Sequence, residues 1–541
     1  MSVKLTINSV EIDARRGATL FDHADEHDIR VPTSCFKQGK CRECLVEVVE
    51  GMQHLSAPTD EEKHLEENFR LSCRTEITAE TGTVRCHTMR RGSMRVLEDA
   101  SALPTRLEDL EISPAVTRDG NRILLDGDEI AQSDGPIHGI AMDLGTTTVV
   151  LRLIDLETGA LVATTSFENP QRFGGSDVMA RIKYDTDHRG KLLQRTLLGY
   201  LTHAIESFPV DPQTIYEMIV AGNSTMRDLF FGLNVHSIGQ KPYRSLTEHE
   251  YLDGKRTSTS LAVDAKKLRL PIHPRARVYG MPLISGHVGS DAEACLLAID
   301  LASEDRTVAL MDIGTNTELV MGTRERILAA SCPAGPAFEG GAIACGVPGL
   351  DGAIERVRIQ DNGNIDTGVI GDGRPEGICG SGLVDLMSEL LRTGRMNELG
   401  RFTNEEDTFM IEADHNVYFL ENDVSELAQA KGANVAGLHI VRASYGVSFD
   451  EIDVFYLAGG FARHLDVEAA RRIGLIPNLP IEKIVQVGNA AIEGAAIALL
   501  SSPRRHQLEE IVKTISHVEL ETDPNFFDHF VNGCQFIPVE S

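Results

Sequence analysis

Apolar and polar positions alternate from the first residues, with Val3, Leu5 and Ile7 followed by Val10 and Ile12, a period of two that predicts a half-buried hairpin. A short helical pattern runs from Thr19 to His27. Strand-like Leu45 to Val49, a polar stretch over 58–68 and strand-like Thr83 to His87 then complete a small mixed unit. Further along, one pattern occurs twice. Residues 139–159 and 308–328 each read as strand, glycine turn and strand, around Asp143-Leu-Gly145-Thr146-Thr147 and Asp312-Ile-Gly314-Thr315-Asn316. Each is followed by an apolar strand that enters a helix through a small-residue turn, Ala221-Gly222-Asn223 in the first copy and Ala458-Gly459-Gly460 in the second. The Asp-to-Ala interval is 78 residues in the first copy and 146 in the second, so the second carries an insertion of 68 residues by difference. Two stretches rich in small residues, Gly289 to Leu301 and Gly488 to Leu500, predict helices able to cross closely.

Between these units, residues 88–137 begin with Arg90-Arg91-Gly92 and carry Pro104, Pro114, Gly120, Gly127 and Pro136 around strand-like Arg122 to Leu125. That composition fits a tether or a very small subdomain. The insertion, 330 to about 440, holds Gly335, Gly340, Gly341, Gly346 and Gly349 around Pro333 and Pro336, which predicts ordered loops lining a cleft. A length of 541 residues gives room for about three domains, and 42% hydrophobic content supplies their cores. The expected division is 1–90, a connector 91–137, two lobes 138–302 and 303–502, and a C-terminal tail 503–541 packing on the lobes. A net charge of -29, with 81 acidic against 52 basic residues and no basic block, argues against a nucleic-acid partner. No apolar run approaches the ~18 residues of a membrane span. The polar start predicts a cytoplasmic location, where reducing conditions disfavour disulfides.

Chemistry enters with the cysteines. Cys35, Cys41, Cys44 and Cys73 are spaced C-x5-C-x2-C-x28-C, a close triplet with a distant fourth thiolate, which is the arrangement of a 2Fe-2S centre. Gly39 allows the loop to turn tightly and leaves backbone N–H groups to face sulfur. A structural zinc site is the alternative for four thiolates, although such sites usually use two Cys-x-x-Cys pairs and only Cys41 and Cys44 form one here. Residues 1 to about 90 resemble a β-grasp ferredoxin of the 2Fe-2S type. The scattered Cys86, Cys295, Cys332, Cys345 and Cys534 read as small buried hydrophobes, whereas Cys379 in Gly377-Ile-Cys-Gly-Ser-Gly382 is a candidate neighbour of a nucleotide.

The duplicated hairpins place glycine turns between two strands, unlike a Walker loop or a dinucleotide fingerprint, where the turn lies between strand and helix. Backbone N–H groups and threonine hydroxyls in such turns can face phosphate oxygens, and an aspartate at the strand end can hold Mg2+ through its waters. On these residues, 138 to about 502 resemble the actin, sugar kinase and Hsp70 ATPase superfamily. The resemblance implies a two-lobed, duplicated RNase H-like domain. It carries Asp143, Gly145 and Thr146, with Thr147 beside them, onto the first phosphate motif. Asp312, Gly314 and Thr315, with Asn316, fall on the second, and Gly459, Gly460 and Phe461 on the adenosine motif. Single polar residues form a further candidate set for the cleft: Asn169, Gln171, Gly174, Asp177, Asn223, Ser224, Asp291, Glu318, Glu339 and Lys431. A carboxylate or glutamine beside the γ-phosphate is needed to orient water, and Glu318 and Gln171 are the expected pair.

An electron carrier and a nucleotide engine on one chain make physical sense as an ATP-gated low-potential reductase. Site-to-site coupling of ~1–3 kcal/mol offsets roughly 40–130 mV for a single electron. The whole chain is similar to the reductive activators of corrinoid proteins, on the cluster cysteines, Asn169-Pro-Gln171, Gly222-Asn-Ser-Thr-Met226 and Gly335-Pro-Ala-Phe-Glu-Gly340. That family uses ATP to return Co(II) cobalamin to Co(I). The resemblance implies a corrinoid protein or corrinoid-dependent methyltransferase as partner, a low-potential reductase or ferredoxin as electron donor, and a homodimer. The connector is shorter than in some relatives. Two other readings stand beside it: an activator of a radical dehydratase, whose cysteines would sit in the ATPase fold, and a redox-sensing module with an inactive ATPase.

Overall fold

The computed structural model describes residues 2–8, 10–35, 37–66, 68–89, 103–104, 107, 110–404, 406–460 and 462–540. Its N-terminal sheet has five strands in the order Val10–Ala14, Val3–Ile7, Gly82–Thr88, Leu45–Glu50, Phe69–Leu71. Val3–Ile7 pairs antiparallel with Val10–Ala14 and parallel with Gly82–Thr88, so the chain's first and last strands lie side by side in this unit. Alternation buries Val3, Leu5 and Ile7 under the helix Leu20–Glu26, which Thr19 and Asp22 open as a reciprocal capping box. Val10, expected in the apolar stripe, is 38% exposed on the edge strand. Within the polar stretch 58–68, Glu62 is buried against Arg70 at 2.9 Å and also accepts from the Leu71 N–H, tying loop to sheet.

Two six-stranded sheets follow with the same pattern. The first runs Leu161–Glu168, Thr148–Asp155, His138–Leu144, Ile215–Gly222, Arg277–Gly280, Leu261–Asp264. The second runs Arg326–Cys332, Thr317–Thr323, Val308–Asp312, Val454–Ala458, Ile484–Gly488 when read in the same sense, with Ser516–His517 beyond Arg326–Cys332. In both, three antiparallel strands join parallel ones at the strand ending in the motif aspartate. The register is equivalent too, with Ala221 opposite Asp143 and Ala458 opposite Asp312. The repeat in sequence is thus a repeat in space.

The helices Ser290–Ala298 and Ala490–Leu500 cross between the sheets inside one apolar core that draws on both. A methyl group on Gly494 would lie 1.8 Å from the Ala294 carbonyl oxygen, so the crossing depends on glycine there. Arg152 of the first sheet and Glu493 form a buried ion pair at 2.5 Å that fastens the second helix to the first lobe. In the connector, Val116–Asp119, Arg122–Leu125 and Asp128–Gln132 form a three-stranded antiparallel sheet. Its Val116, Ile123 and Ile130 enter the same core as the crossing helices. Arg90-Arg91-Gly92 lie outside the described residues.

The insertion is more than loops. It contains a sheet of Ile365–Val369, Ala353–Ile359 and Gly377–Ile378, the helix Gly380–Arg392, and the hairpin Thr408–Glu412 with Val417–Leu420. The long helix Glu421–Tyr445 then covers the second sheet, and the C-terminal helix Phe526–Gly533 packs upon it.

Candidate functional site

The two hairpins meet tip to tip over a cavity lined by Asp143, Gly145, Thr146, Thr147, Asn223, Asp312, Gly314, Thr315, Asn316, Glu318, Gly459 and Gly460. Sheet geometry explains the convergence, because each aspartate ends the strand at which parallel and antiparallel pairing meet. At the first tip the Gly145 N–H donates to Thr148 O at 2.9 Å, and a Cβ there would lie 2.6 Å from that same oxygen. Gly459 has φ 112°, and a Cβ would stand 2.4 Å from Ile313 O, so this turn also requires glycine. Asn223 caps the helix Ser224–Phe230 through its Oδ1 while its Nδ2 donates to the Thr146 hydroxyl at 2.9 Å. Across the cleft, the Thr147 and Thr315 hydroxyls are 3.2 Å apart, and the Glu339 carboxylate accepts from Thr315 and Thr147.

Negative charge accumulates in this cavity. Withdrawal from water pushes Asp143, Asp291 and Asp312 each up to about 7, with a neighbouring carboxylate adding to each shift. Burial raises Glu318 well above the carboxylate range and raises Glu339 against the opposing pull of Thr315, Thr147, Arg172 and Arg181. Asn489 donates to Asp143 at 2.8 Å while capping Ala490–Leu500, so the first aspartate is oriented by the crossing helix. The Cys295 thiol donates to Asp312 at 3.4 Å.

Two expected cleft residues lie elsewhere. Gln171 is fully buried in the turn Pro170–Gly174 and does not line the cavity; Asn169 caps that turn and donates to Gly145 O at 2.8 Å, behind the first hairpin. Lys431 sits on the far face of Glu421–Tyr445, where its ammonium donates to the Gly533 and Gln535 carbonyls and lies over the Phe536 ring. It fastens the C-terminal segment. Phe461 lies outside the described residues. Of the remaining candidates, Asp291 and Glu339 line the cavity, while Asn169, Gly174, Asp177 and Ser224 do not. Asp177 caps Val178–Asp187, and Ser224 donates to Ser285 O. Cys379 does line the cavity, next to Gly380 and Ser381. Sequence reasoning missed Asn489, Glu355 and His464. For Asn489 a signal existed, since Gly488-Asn489 repeats the Gly222-Asn223 step from strand into helix.

The cysteine loop is built for sulfur. Lys37, Gly39 and Arg42 have φ of 63°, 71° and 65°, which curls 37–42 so that the N–H groups of Gln38, Lys40 and Cys41 face the Cys35 sulfur. Burial works to raise the Cys35 thiol, but N–H groups of Cys41, Lys40 and Gln38 outweigh it and lower it. The Cys44 and Cys73 sulfurs are 3.3 Å apart, and Cys73 is brought down to about 7, first by the Cys44 thiol that donates to it. Cys35 and Cys41 contact one another in the same way. Among the described residues no three metal-binding side chains converge on one point. The four thiols form two pairs, which fits two thiolates for each iron of a diiron centre better than one tetrahedral ion.

This loop abuts the first lobe. Glu43, between two cluster cysteines, accepts from Ser34 at 2.6 Å and from His203 at 3.0 Å. Tyr184 donates to His64 O at 2.6 Å, and Leu45, Phe69 and Leu71 share a core with Leu193 and Leu197.

Comparison with known proteins agrees with this layout. Residues 4–78 match the 2Fe-2S iron-sulfur cluster binding domain, 138–304 the RACo middle region, and 306–541 the C-terminal domain of RACo, the ASKHA domain. Over 448 residues the chain is 32% identical to the corrinoid activation enzyme RamQ of Eubacterium limosum, covering 77% of this chain and 73% of that protein. Over 430 residues it is 25% identical to a Co(II) methylated amine-specific corrinoid protein reductase of Methanosarcina barkeri, covering 73% and 76%. The solved structure of a reductive activator for corrinoid, iron-sulfur protein superposes with a TM-score of 0.73 at 25% identity over 99% of both chains. A ferredoxin unit followed by a two-lobed ASKHA domain, matched end to end in this way, means that the chain belongs to the RACo family of corrinoid-protein reductive activators.

Proposed function

We propose that this chain is an ATP-dependent reductive activator that delivers one electron to the Co(II) corrinoid of a methyltransferase or corrinoid protein, returning it to Co(I). The observation that carries the reading is the meeting of two duplicated hairpins over a carboxylate-rich cavity, in a chain whose four-thiol loop rests on the same lobe. Cys35, Cys41, Cys44 and Cys73 would hold a 2Fe-2S cluster, which supplies a one-electron store refilled by a low-potential reductase or ferredoxin.

In the cleft, Gly145, Thr146, Thr147, Gly314, Thr315 and Asn316 receive the phosphates, and Gly459 and Gly460 let the adenosine approach backbone closely. Asn223 holds the Thr146 hydroxyl in place. Asp143 and Asp312 would hold a divalent ion such as Mg2+, which would offset their charge and that of the phosphates. Of the carboxylates lining the cavity, Glu318 and Glu339 would orient the attacking water. Binding drives rotation about Ser290–Ala298 and Ala490–Leu500, and a coupling of about 1–3 kcal/mol shifts the effective potential by roughly 40–130 mV. Action in the cytoplasm as a homodimer is part of the same proposal.

ATP hydrolysis by the cluster-loaded chain tests the reading. A rate stimulated several-fold by a corrinoid protein in its Co(II) state supports it. Hydrolysis indifferent to corrinoid protein points instead to an unrelated acceptor, and absence of hydrolysis to a regulatory module.

A further inference from the structure

The turn behind the first phosphate hairpin touches the iron–sulfur unit. Asn169 accepts nothing from the ferredoxin; its backbone N–H donates to Thr147 O at 2.7 Å and its Nδ2 to Gly145 O at 2.8 Å, so it follows the hairpin tip closely. Pro170 fixes the next φ, and the turn ends at Gly174. Within it, Arg172 reaches two carboxylates, Glu168 at 3.3 Å and Glu47 at 3.4 Å. Glu47 lies on the ferredoxin strand Leu45–Glu50, three residues beyond Cys44. The next residue, Phe173, packs edge-on against His64 of the same unit at 5.7 Å and against Tyr184 at 5.5 Å. The Arg172 charge also lowers the pKa of Glu339, the carboxylate that accepts from the two hairpin threonines.

We propose that Arg172 is a positioning residue that couples nucleotide occupancy of the cleft to docking of the iron–sulfur unit on the first lobe. This rests on the cleft binding ATP, as proposed above. In this structure Arg172 is shared between the ferredoxin carboxylate Glu47 and the lobe carboxylate Glu168. Phosphate oxygens entering between Thr147 and Thr315 must part these hydroxyls, which are now in contact, and displace Glu339 from them. They add negative charge on the cleft side of Arg172 and shift the Asn169 turn with the hairpin. Both changes draw Arg172 away from Glu47, and the docked unit loosens. A guanidinium suits this role because its rigid planar fork directs separate nitrogens to the two carboxylates, Nη1 to Glu168 and Nη2 to Glu47.

Hydrogen exchange on the full-length, cluster-loaded protein tests the coupling, with magnesium and the non-hydrolysable analogue AMP-PNP as probe. The peptides to follow are 60–71 and 192–206, the two sides of the docking interface, and calorimetry reports analogue binding in parallel. In the natural protein the analogue is expected to speed exchange in both peptides at least about threefold. Arg172→Ala should exchange at the fast rate without analogue and change little when it is added. Glu47→Gln, which alters only the ferredoxin side, should do the same with analogue affinity kept within about twofold. Arg172→Lys should keep part of the response. If calorimetry shows the analogue bound while both peptides stay unchanged, or if Arg172→Ala responds as the natural protein does, the coupling is overturned and the nucleotide reading survives. If no analogue binds, the nucleotide reading itself fails.

Discussion

Single residues carry the electrostatic logic of the cleft. Asp143, Asp291 and Asp312 are each held at about 7 by withdrawal from water, so the folded chain retains protons that the unfolded chain releases from about pH 4 upward. Stability from these protonated carboxyls is complete below the unfolded value and lost as pH rises through about 7. A bound Mg2+ would supply the positive charge that the protons supplied. Without nucleotide the protein should therefore melt at falling temperature between about pH 4 and pH 7 and level off above, while the upshift from Mg2+ and nucleotide grows over the same interval. Differential scanning calorimetry checks this, and an upshift that shrinks toward about pH 7 contradicts it. The motif residues were legible in sequence because duplication marks them; Gly145, Thr146, Gly314 and Thr315 recur at matched offsets. Gln171 and Lys431 were not legible, since a polar residue in a glycine-rich loop or on a helix gives no sign of which way it faces. One caps nothing in the cleft and the other holds the C-terminal carbonyls. Asn489, by contrast, reaches Asp143 from 346 positions away, and only the fold brings them together.

Among elements, the crossing of Ser290–Ala298 and Ala490–Leu500 decides whether the lobes can move as units. Gly494→Ala places a methyl group against the Ala294 carbonyl, a backbone atom that cannot turn aside. Overpacking of this kind costs about 1–3 kcal/mol, and separation of the helices would also disturb Asn489 and Glu493. Urea denaturation should show that loss together with weakened nucleotide binding; an unaltered midpoint would contradict the close crossing. The small residues of these helices announced them in sequence, and both form inside the expected bounds, the first ending at Ala298 rather than Leu301. The insertion was read as loops because its glycines drew attention from the strands Ala353–Ile359 and Ile365–Val369, which among the described residues form a small separate sheet with Gly377–Ile378. In the connector, Arg122 to Leu125 was visible as one strand, but its flanking partners are short and half-exposed, too weakly patterned to stand out. At the cluster loop, Cys44→Ser removes a fully buried thiol paired with Cys73. Iron content and visible absorbance of the cluster should fall sharply while nucleotide binding persists; loss of both together would mean the two units do not fold separately.

At the scale of the molecule, the cysteine unit and the two-hairpin cleft are neighbours. Glu43 and Tyr184 join the cysteine unit to the first lobe, the Asn169 turn joins the first hairpin, and the crossing helices join the lobes to each other. Charge fits the picture less specifically: a net -29 disfavours nucleic acid and does not single out a protein partner. The physical core of the account is that closure on ATP makes an unfavourable one-electron reduction of cobalt proceed. The direct measurement is the appearance of Co(I) absorbance in a mixture of the cluster-loaded protein, a low-potential reductant and a Co(II) corrinoid protein, with and without Mg2+ and ATP. The account predicts Co(I) formation that requires ATP and is abolished by the double change Asp143→Asn and Asp312→Asn. Equal Co(I) formation without ATP, or with both aspartates replaced, would contradict it.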